Sequence, residues 1–302
     1  MKTGVLVMAY GTPTTPDDVE NYYTRIRHGR PPTPEQLADL TRRYNAIGGT
    51  SPLAQRTADQ VVGIARVLEG VAPNQFDVRF GSKYEPPLLE STAQSFRDDG
   101  IATVIGLVLA PHSSSMSTDQ YMDRARDALG DDVVFVPIGA WWEFPGFLEI
   151  IAKRVRNALA TIADDRLATT EVIFSAHSLP EKILLTGDNY PEQLRESAER
   201  TAQLAGVERW DTAWQSAGRT PDPWIGPDVL QVLRTKHDAG VTDIVSCPIG
   251  FVSDHLEVLF DIDVEAQGVA KEIGLNLVRT QSLNDDAEFM NLLANVVLKA
   301  AS

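Results

Sequence analysis

Short runs of consecutive apolar, β-branched residues alternate with longer stretches in which apolar positions recur every three or four residues, from one end of the chain to the other. Continuous apolar runs read as strands buried on both faces and the amphipathic stretches as helices, so the pattern predicts parallel sheets built from βαβ units. Strands are predicted over 5–8, 77–84, 103–110, 133–138, 171–175, 212–215 and 244–248, and helical patterns fall near 51–69, 86–98, 117–129, 146–162, 191–205, 227–239, 254–272 and 286–300. The polar, weakly patterned stretch 162–170 reads as a junction. It divides the chain into an N-terminal unit over 1–162 and a C-terminal unit over 163–302, with the last helix, about 286–300, free to pack back on the first unit. The halves echo one another, since Leu107-Val108-Leu109-Ala110-Pro111-His112 and Val172-Ile173-Phe174-Ser175-Ala176-His177 are both apolar strands ending in a histidine.

The second of these strands carries the first candidate for chemistry. Pro180 blocks its continuation, and in open α/β sheets ligands bind beyond the carboxyl ends of the strands, so His177 faces whatever is bound there. A hydrogen-bonded histidine closing a strand end is the plainer alternative. The strand over 244–248 ends at the same kind of edge and runs into Val252-Ser253-Asp254-His255-Leu256-Glu257-Val258-Leu259-Phe260-Asp261. On a helix, Asp254, Glu257, Asp261 and Glu265 stand at i, i+3, i+7 and i+11 and share a face, with Val252, Leu256, Leu259 and Phe260 opposite. Four acids in line commonly form a solvated surface. These begin beside the edge that carries His177, and imidazole with carboxylate at one mouth suits a divalent ion or proton transfer.

The 302 residues exceed the usual single-domain size and favour two domains, and 43% hydrophobic with 23% charged residues is ordinary for a globular protein. A net charge of −15 makes nucleic acid a poor partner. The charge is uneven, however: between Tyr22 and Arg56 there are six arginines, Arg25, Arg27, Arg30, Arg42, Arg43 and Arg56, against only Glu35 and Asp39. Such a segment suits a small carboxylated ligand, which arginine grips as a fork, or is a set of helix-surface arginines without a partner. The single cysteine, Cys247, excludes an intrachain disulfide and a cluster held by several thiolates, and reads as a small core residue. Met1-Lys2-Thr3-Gly4 leads straight into a strand, and no apolar run reaches the roughly 18–20 residues that span a bilayer, so the expectation is a soluble cytoplasmic protein. Neither terminus offers an obvious apolar helical face, which leaves a monomer as the expected state.

G-x-G-x-x-G after the first strand, G-x-x-x-x-G-K-[ST] and G-x-S-x-G are all missing, which counts against dinucleotide, nucleoside triphosphate and serine-hydrolase readings. A permanent metal site would show three or four ligands, whereas His177 and Glu257 make two; a metal in transit, with the substrate completing its coordination, fits better.

Val7-Met8-Ala9-Tyr10-Gly11-Thr12-Pro13, Ile47-Gly48-Gly49-Thr50-Ser51-Pro52-Leu53, Ser175-Ala176-His177-Ser178-Leu179-Pro180, Trp214-Gln215-Ser216-Ala217-Gly218-Arg219-Thr220-Pro221-Asp222-Pro223-Trp224 and Gly250-Phe251-Val252-Ser253-Asp254-His255-Leu256-Glu257 together resemble the ferrochelatases, and among them the coproporphyrin-using enzymes of Gram-positive bacteria. The resemblance covers nearly the whole chain in order. It implies an α/β chelatase fold of two Rossmann-like domains, each a four-stranded parallel sheet flanked by helices, with a porphyrin cleft between them. It implies insertion of Fe(II) into coproporphyrin III in haem b biosynthesis, with iron as substrate, no permanent cofactor, no iron–sulfur cluster, and transient contact with neighbouring haem-pathway enzymes. By the same carry-over His177 and Glu257 are catalytic and metal-binding on one side of the macrocycle, Tyr10 is an axial ligand to iron on the other, and Asp261 and Glu265 form an outer metal position. Tyr10, Arg27, Arg43, Tyr44, Ser51 and Tyr121 would contact the porphyrin or its propionates. The chemistry accords with the residues, because inserting a divalent ion into a free-base porphyrin requires loss of two pyrrole protons, for which a neutral imidazole of pKa about 6.5 beside a carboxylate is suited. Rivals are a protoporphyrin or other tetrapyrrole chelatase, a non-catalytic porphyrin carrier and a metal buffer.

Overall fold

The computed structural model describes residues 2–218 and 220–302; Arg219, in the fourth motif above, lies outside the described residues. Strands β1 (Thr3–Ala9), β2 (Phe76–Ser82), β3 (Thr103–Val108) and β4 (Val134–Pro137) form one parallel sheet in the order β2-β1-β3-β4. Strands β5 (Glu171–His177), β6 (Trp210–Gln215), β7 (Asp243–Cys247) and β8 (Asn276–Arg279) form a second in the order β6-β5-β7-β8. The two orders are the same when each is counted from its own first strand. Val5, Leu6, Val7 and Met8 in β1 and Val172, Ile173 and Phe174 in β5 are all buried, as strands covered on both faces must be.

The helices are α1 (Val19–Ile26), α2 (Pro34–Ala46), α3 (Leu53–Val71), α4 (Leu89–Asp98), α5 (Thr118–Leu129), α6 (Phe147–Leu159), α7 (Asp164–Leu167), α8 (Tyr190–Ala205), α9 (Val229–Asp238), α10 (Leu256–Phe260), α11 (Gln267–Ile273) and α12 (Ala287–Ala301), with a π-helical segment Asp261–Ala266 joining α10 to α11. The pattern did not predict α1, α2 or the four-residue β8. Helix α2 owes its start to Thr33, whose hydroxyl accepts from Gln36 N while the Gln36 side chain returns to Thr33 N, with Pro34 at the first helical position.

Three apolar clusters hold the layers. Helices α4 and α5 cover the outer face of the first sheet through Phe96, Leu89 and Leu129, and α9, the π segment and α11 cover that of the second through Leu233, Ile262 and Ala270. The largest cluster runs between the sheets, taking Val5 and Val7 from β1, Phe174 from β5, Val245 from β7 and the inward faces of α3, α6, α8 and α12. Helix α12 packs on α3 and α6, and Arg154 and Lys153 of α6 pair with Asp286 and Glu288 at its start, at 2.7 and 3.0 Å. Among the described residues no helix is long and apolar enough to cross a membrane.

The topology corrects the echo between the halves. His112 follows β3, whereas His177 ends β5, whose counterpart is β1; the residue that leads out of β1 is Tyr10. His112 itself is buried, sits 2.8 Å from Ser197 Oγ through Nε2, and is held neutral because burial pulls its pKa down to about 3.

Candidate active site

In a sheet of order 2-1-3-4 the chain leaves the first and third strands in opposite directions, opening a crevice at their carboxyl ends. The first sheet places Tyr10 at its crevice, and the second places His177 at the end of β5 with the segment after β7 beside it. These two mouths face each other. Arg42 and Arg43 of α2 lie over the Phe260 ring of α10, each at 5.2 Å, and Gln193 of α8 bonds both backbone groups of Ser113 after β3 at 2.9 Å.

His177 and Glu257 are brought together as expected from the motifs: Nε2 lies 3.5 Å from Glu257 Oε1, and 34% and 35% of the two side chains stay open to the cleft. His177 Nδ1 donates to the Ser178 carbonyl, which leaves Nε2 as the nitrogen that faces the carboxylate. A second imidazole completes the arrangement. His255 donates Nδ1–H to Ser253 O at 2.9 Å and turns its Nε2 to Glu257 Oε2, again at 3.5 Å. Burial opposes charge on both members of the His177–Glu257 pair, yet each stabilises the other's ion: His177 is raised to about 9 by Glu257, and Glu257 is driven well below the usual carboxylate range by His177 and His255. The neutral imidazole expected from the sequence is therefore corrected. At pH 7 His177 is an imidazolium, because Glu257 is too close to leave it uncharged.

Gly250 makes this proximity feasible. Its N–H bonds Ser175 O at 3.0 Å, and a Cβ there would fall 2.5 Å from Ala176 Cβ and 2.9 Å from Ala176 Cα, so only glycine lets the chain after β7 lie against the end of β5. Gln215, at the end of β6, ties the two together, accepting from Ser175 Oγ at 2.9 Å and donating to Glu257 O at 3.1 Å.

The acidic line differs from the expected helix face. The helix begins at Leu256, so Asp254 lies before it and is turned away, accepting from Arg279, Ser282 and Asn284 at 3.2, 2.8 and 2.9 Å. Glu257, Asp261 and Glu265 remain near one another across the π segment. Asp261 is buried, and burial with the Glu257 and Glu265 charges raises it to about 7 despite the hydrogen bond from Ser216 and the nearby Arg43. Among the described residues no three His, Cys, Asp or Glu side chains gather as a metal-holding group.

On the opposite wall Tyr10 is 42% exposed and meets the Tyr84 ring edge-on, 4.8 Å between centroids. The protein around it, then Tyr84 and Glu257, hold its phenol protonated. The turn after it is fixed by Gly11 at φ +88°, where a Cβ would strike Ser82 Oγ at 2.7 Å, and by Tyr22 OH donating to Gly11 O at 3.0 Å. The remaining expected porphyrin contacts are distributed unevenly. Tyr44 and Tyr121 are buried, and both feel the Glu257 charge. The Tyr44 hydroxyl lies 3.3 Å from Thr12 Oγ1. Ser51 is buried with its Oγ accepting from Leu53 N at 3.2 Å at the start of α3. Arg43 bonds Asp39 at 3.1 Å, and Arg27, just after α1, donates from Nε to Arg30 O at 3.2 Å and lies over Tyr23. His255 and Gln215 were not singled out from the sequence. His255 sits within a motif quoted above, but residues two apart on a helix do not face each other, and only the late helix start lets it reach Glu257.

A family model for the ferrochelatases matches residues 2–301. The coproporphyrin III ferrochelatase of Geobacillus sp. (strain WCH70) is 44% identical over 303 residues, covering 99% of this chain and 97% of that protein. That of Geobacillus kaustophilus (strain HTA426) is 45% identical over 301 residues, 98% of this chain and 95% of that protein. Among solved structures, the sirohydrochlorin chelatase SirB from Bacillus subtilis subspecies spizizenii, in complex with cobalt, aligns over 100% of this chain and 96% of its own with a TM-score of 0.59 at 13% identity, a likeness of fold.

Proposed function

The chain belongs to the ferrochelatase family, and from that premise we propose that it is an enzyme inserting Fe(II) into coproporphyrin III to give iron-coproporphyrin III in haem biosynthesis. The observation that carries the reading is the facing of two chemically unlike walls, His177 with Glu257 on one and Tyr10 on the other. Iron is the substrate, and no resident cofactor is invoked.

The pair's protonation state sets the order of events. An arriving Fe(II) competes with the proton on His177 Nε2, and once the ion has passed to the macrocycle, His177, made more basic by Glu257 beside it, is free to take up a proton that the pyrrole nitrogens release. His255 places a second imidazole beside Glu257, its Nε2 3.5 Å from the carboxylate oxygen that does not face His177. Asp261 and Glu265, one and two turns on, provide an outer position from which an ion can approach. On the far wall the protonated phenol of Tyr10 presents an oxygen to the face opposite the entering metal. Arg27, Arg43, Tyr44, Ser51 and Tyr121 are the residues from which propionate contacts would come.

Anaerobic spectral titration of coproporphyrin III and protoporphyrin IX with Fe(II) tests the reading. Each unmade charge-assisted contact costs about 1.5–3 kcal/mol, so the four-propionate substrate should exceed the two-propionate one in kcat/KM by about tenfold or more. Equal values for the two porphyrins would refute the substrate assignment, and binding without insertion would make the protein a carrier.

A further inference from the structure

Residues 251–255, between the end of β7 and the start of α10, belong to neither strand nor helix, so their backbone groups need partners from elsewhere. Asn284, in the loop before α12, takes two of them. It donates its N–H to Val252 O at 2.8 Å and accepts from Asp254 N through Oδ1 at 2.9 Å, so that backbone and side chain together bracket Ser253 as a neighbouring strand would. Its Nδ2 donates to Asp254 Oδ2 at 2.9 Å, and its carbonyl accepts from Gln60 Nε2 at 2.8 Å. Gln60 is fully buried on α3, and its Nε2 also donates to Ser253 Oγ at 2.9 Å. Among the described residues Gln60 Oε1 has no partner, so the side chain is committed to this clamp. Asn284 itself adopts φ +47°, in the left-handed region that asparagine tolerates better than most residues with a Cβ. Aspartate could take that conformation but would set one carboxylate against another, and glycine would bring no amide.

The clamp holds the chain that leads to the catalytic carboxylate. Ser253 O, the carbonyl of the bracketed residue, takes the Nδ1–H of His255, whose Nε2 faces Glu257. His255 O in turn accepts from Leu259 N at 2.9 Å and opens α10, which carries Glu257. Through Gln60 the clamp is anchored on α3, which packs on β2 beside the strand that leads to Tyr10, so one set of hydrogen bonds ties the two walls together. We propose that Asn284 is a positioning residue for metal insertion: by bracketing Ser253 it fixes the backbone that aims His255 and begins α10, and so sets where Glu257 stands against the two imidazoles. The proposal rests on the ferrochelatase reading above and adds to it a residue that touches neither metal nor porphyrin.

The test compares the parent with Asn284→Asp, with the exchange Asn284→Asp plus Asp254→Asn, and with the neighbouring control Asp285→Ala. Zn(II) affinity is read by competition at one fixed pH, kcat by metal insertion, and coproporphyrin III affinity by fluorescence. Residues that orient metal-holding side chains typically account for about 10–100-fold in metal affinity or activity, so Asn284→Asp should lose about tenfold or more in both Zn(II) affinity and kcat while porphyrin affinity holds. The exchange again sets an amide against a carboxylate and should recover most of that loss, and Asp285→Ala, which removes only the ion pair with Arg56 at 3.0 Å, should match the parent. A merely structural Asn284 would lower the melting temperature of Asn284→Asp and leave Zn(II) affinity and kcat at parental values below it. That result, a parallel loss of porphyrin affinity, or an exchange no better than Asn284→Asp would overturn the proposal. If Asn284→Asp does not fold, Asn284→Gly, which keeps the left-handed backbone unstrained and drops the amide, takes its place with the same expected loss. A parent protein that binds Zn(II) and porphyrin without inserting the metal would overturn the functional reading itself, and the Zn(II) affinities would still decide the role of Asn284.

Discussion

His177 in the metal-free protein is a cation bound to an anion, and this has a measurable consequence. A metal ion must displace the proton on Nε2, so its affinity should rise about tenfold per pH unit between pH 7 and about 9, where His177 loses its proton unaided. Competition titrations with Zn(II) across that range check this; a pH-independent constant would show that the ion binds elsewhere, and His177→Ala should flatten the dependence. The effect on stability has the opposite sign. Because the folded pKa is raised, the ion pair stabilises the fold fully below the unfolded value of about 6.5 and ceases to do so as pH rises through 9. Glu257, shifted downward, contributes above its ordinary pKa and loses that contribution as pH falls toward its depressed folded value. The motifs made His177 and Glu257 legible from the residues alone. They did not disclose the protonation state, which depends on a 3.5 Å separation and on a second imidazole whose approach follows from where α10 begins.

At the scale of elements, the critical junction is where the end of β5 meets the chain leaving β7. Gly250→Ala would force these apart by its contact with the Ala176 backbone and so separate His177 from Glu257. Misplacement by about 1 Å costs on the order of a hundredfold in rate, and a loss of that order in kcat is expected, together with a lower melting temperature. Gly268→Ala in α11 is the control, since a Cβ there meets nothing within 4 Å, and it should leave kcat unchanged. Steady-state kinetics on both variants decide the matter; an active Gly250→Ala would mean the pair tolerates separation. Legibility at this scale followed apolar content. The seven long or strongly apolar strands announced themselves, whereas β8 contributes only Leu277 and Val278 to an apolar pattern, and α1 and α2 are rich in tyrosine, arginine and acids on sides that face the cleft and solvent. The π segment has no periodic signature at all, because its extra residue per turn breaks the spacing by which a helix is recognised.

Across the whole molecule, one apolar cluster joins both sheets, and the inward face of α12 is part of it. Phe289 is fully buried there, 6.0 Å from Trp141, so Phe289→Ala should cost about 3–5 kcal/mol. Because the cluster is shared, denaturant unfolding followed by fluorescence and by circular dichroism should give coincident transitions that move together in the variant. Two separate transitions, only one of them displaced, would show that the sheets unfold independently. The common strand order of the two sheets carries a last consequence. Tyr10 and His177 occupy corresponding places in a frame that is nearly the same on both sides, so the difference between the walls is chemical and not architectural. The substituents of a type III porphyrin run in an unsymmetrical order around its rim, so its front and back are mirror images and equal in energy in free solution. A chiral cleft with base on one side and phenol on the other breaks that equality, and each macrocycle it metallates must be entered from one face of the two.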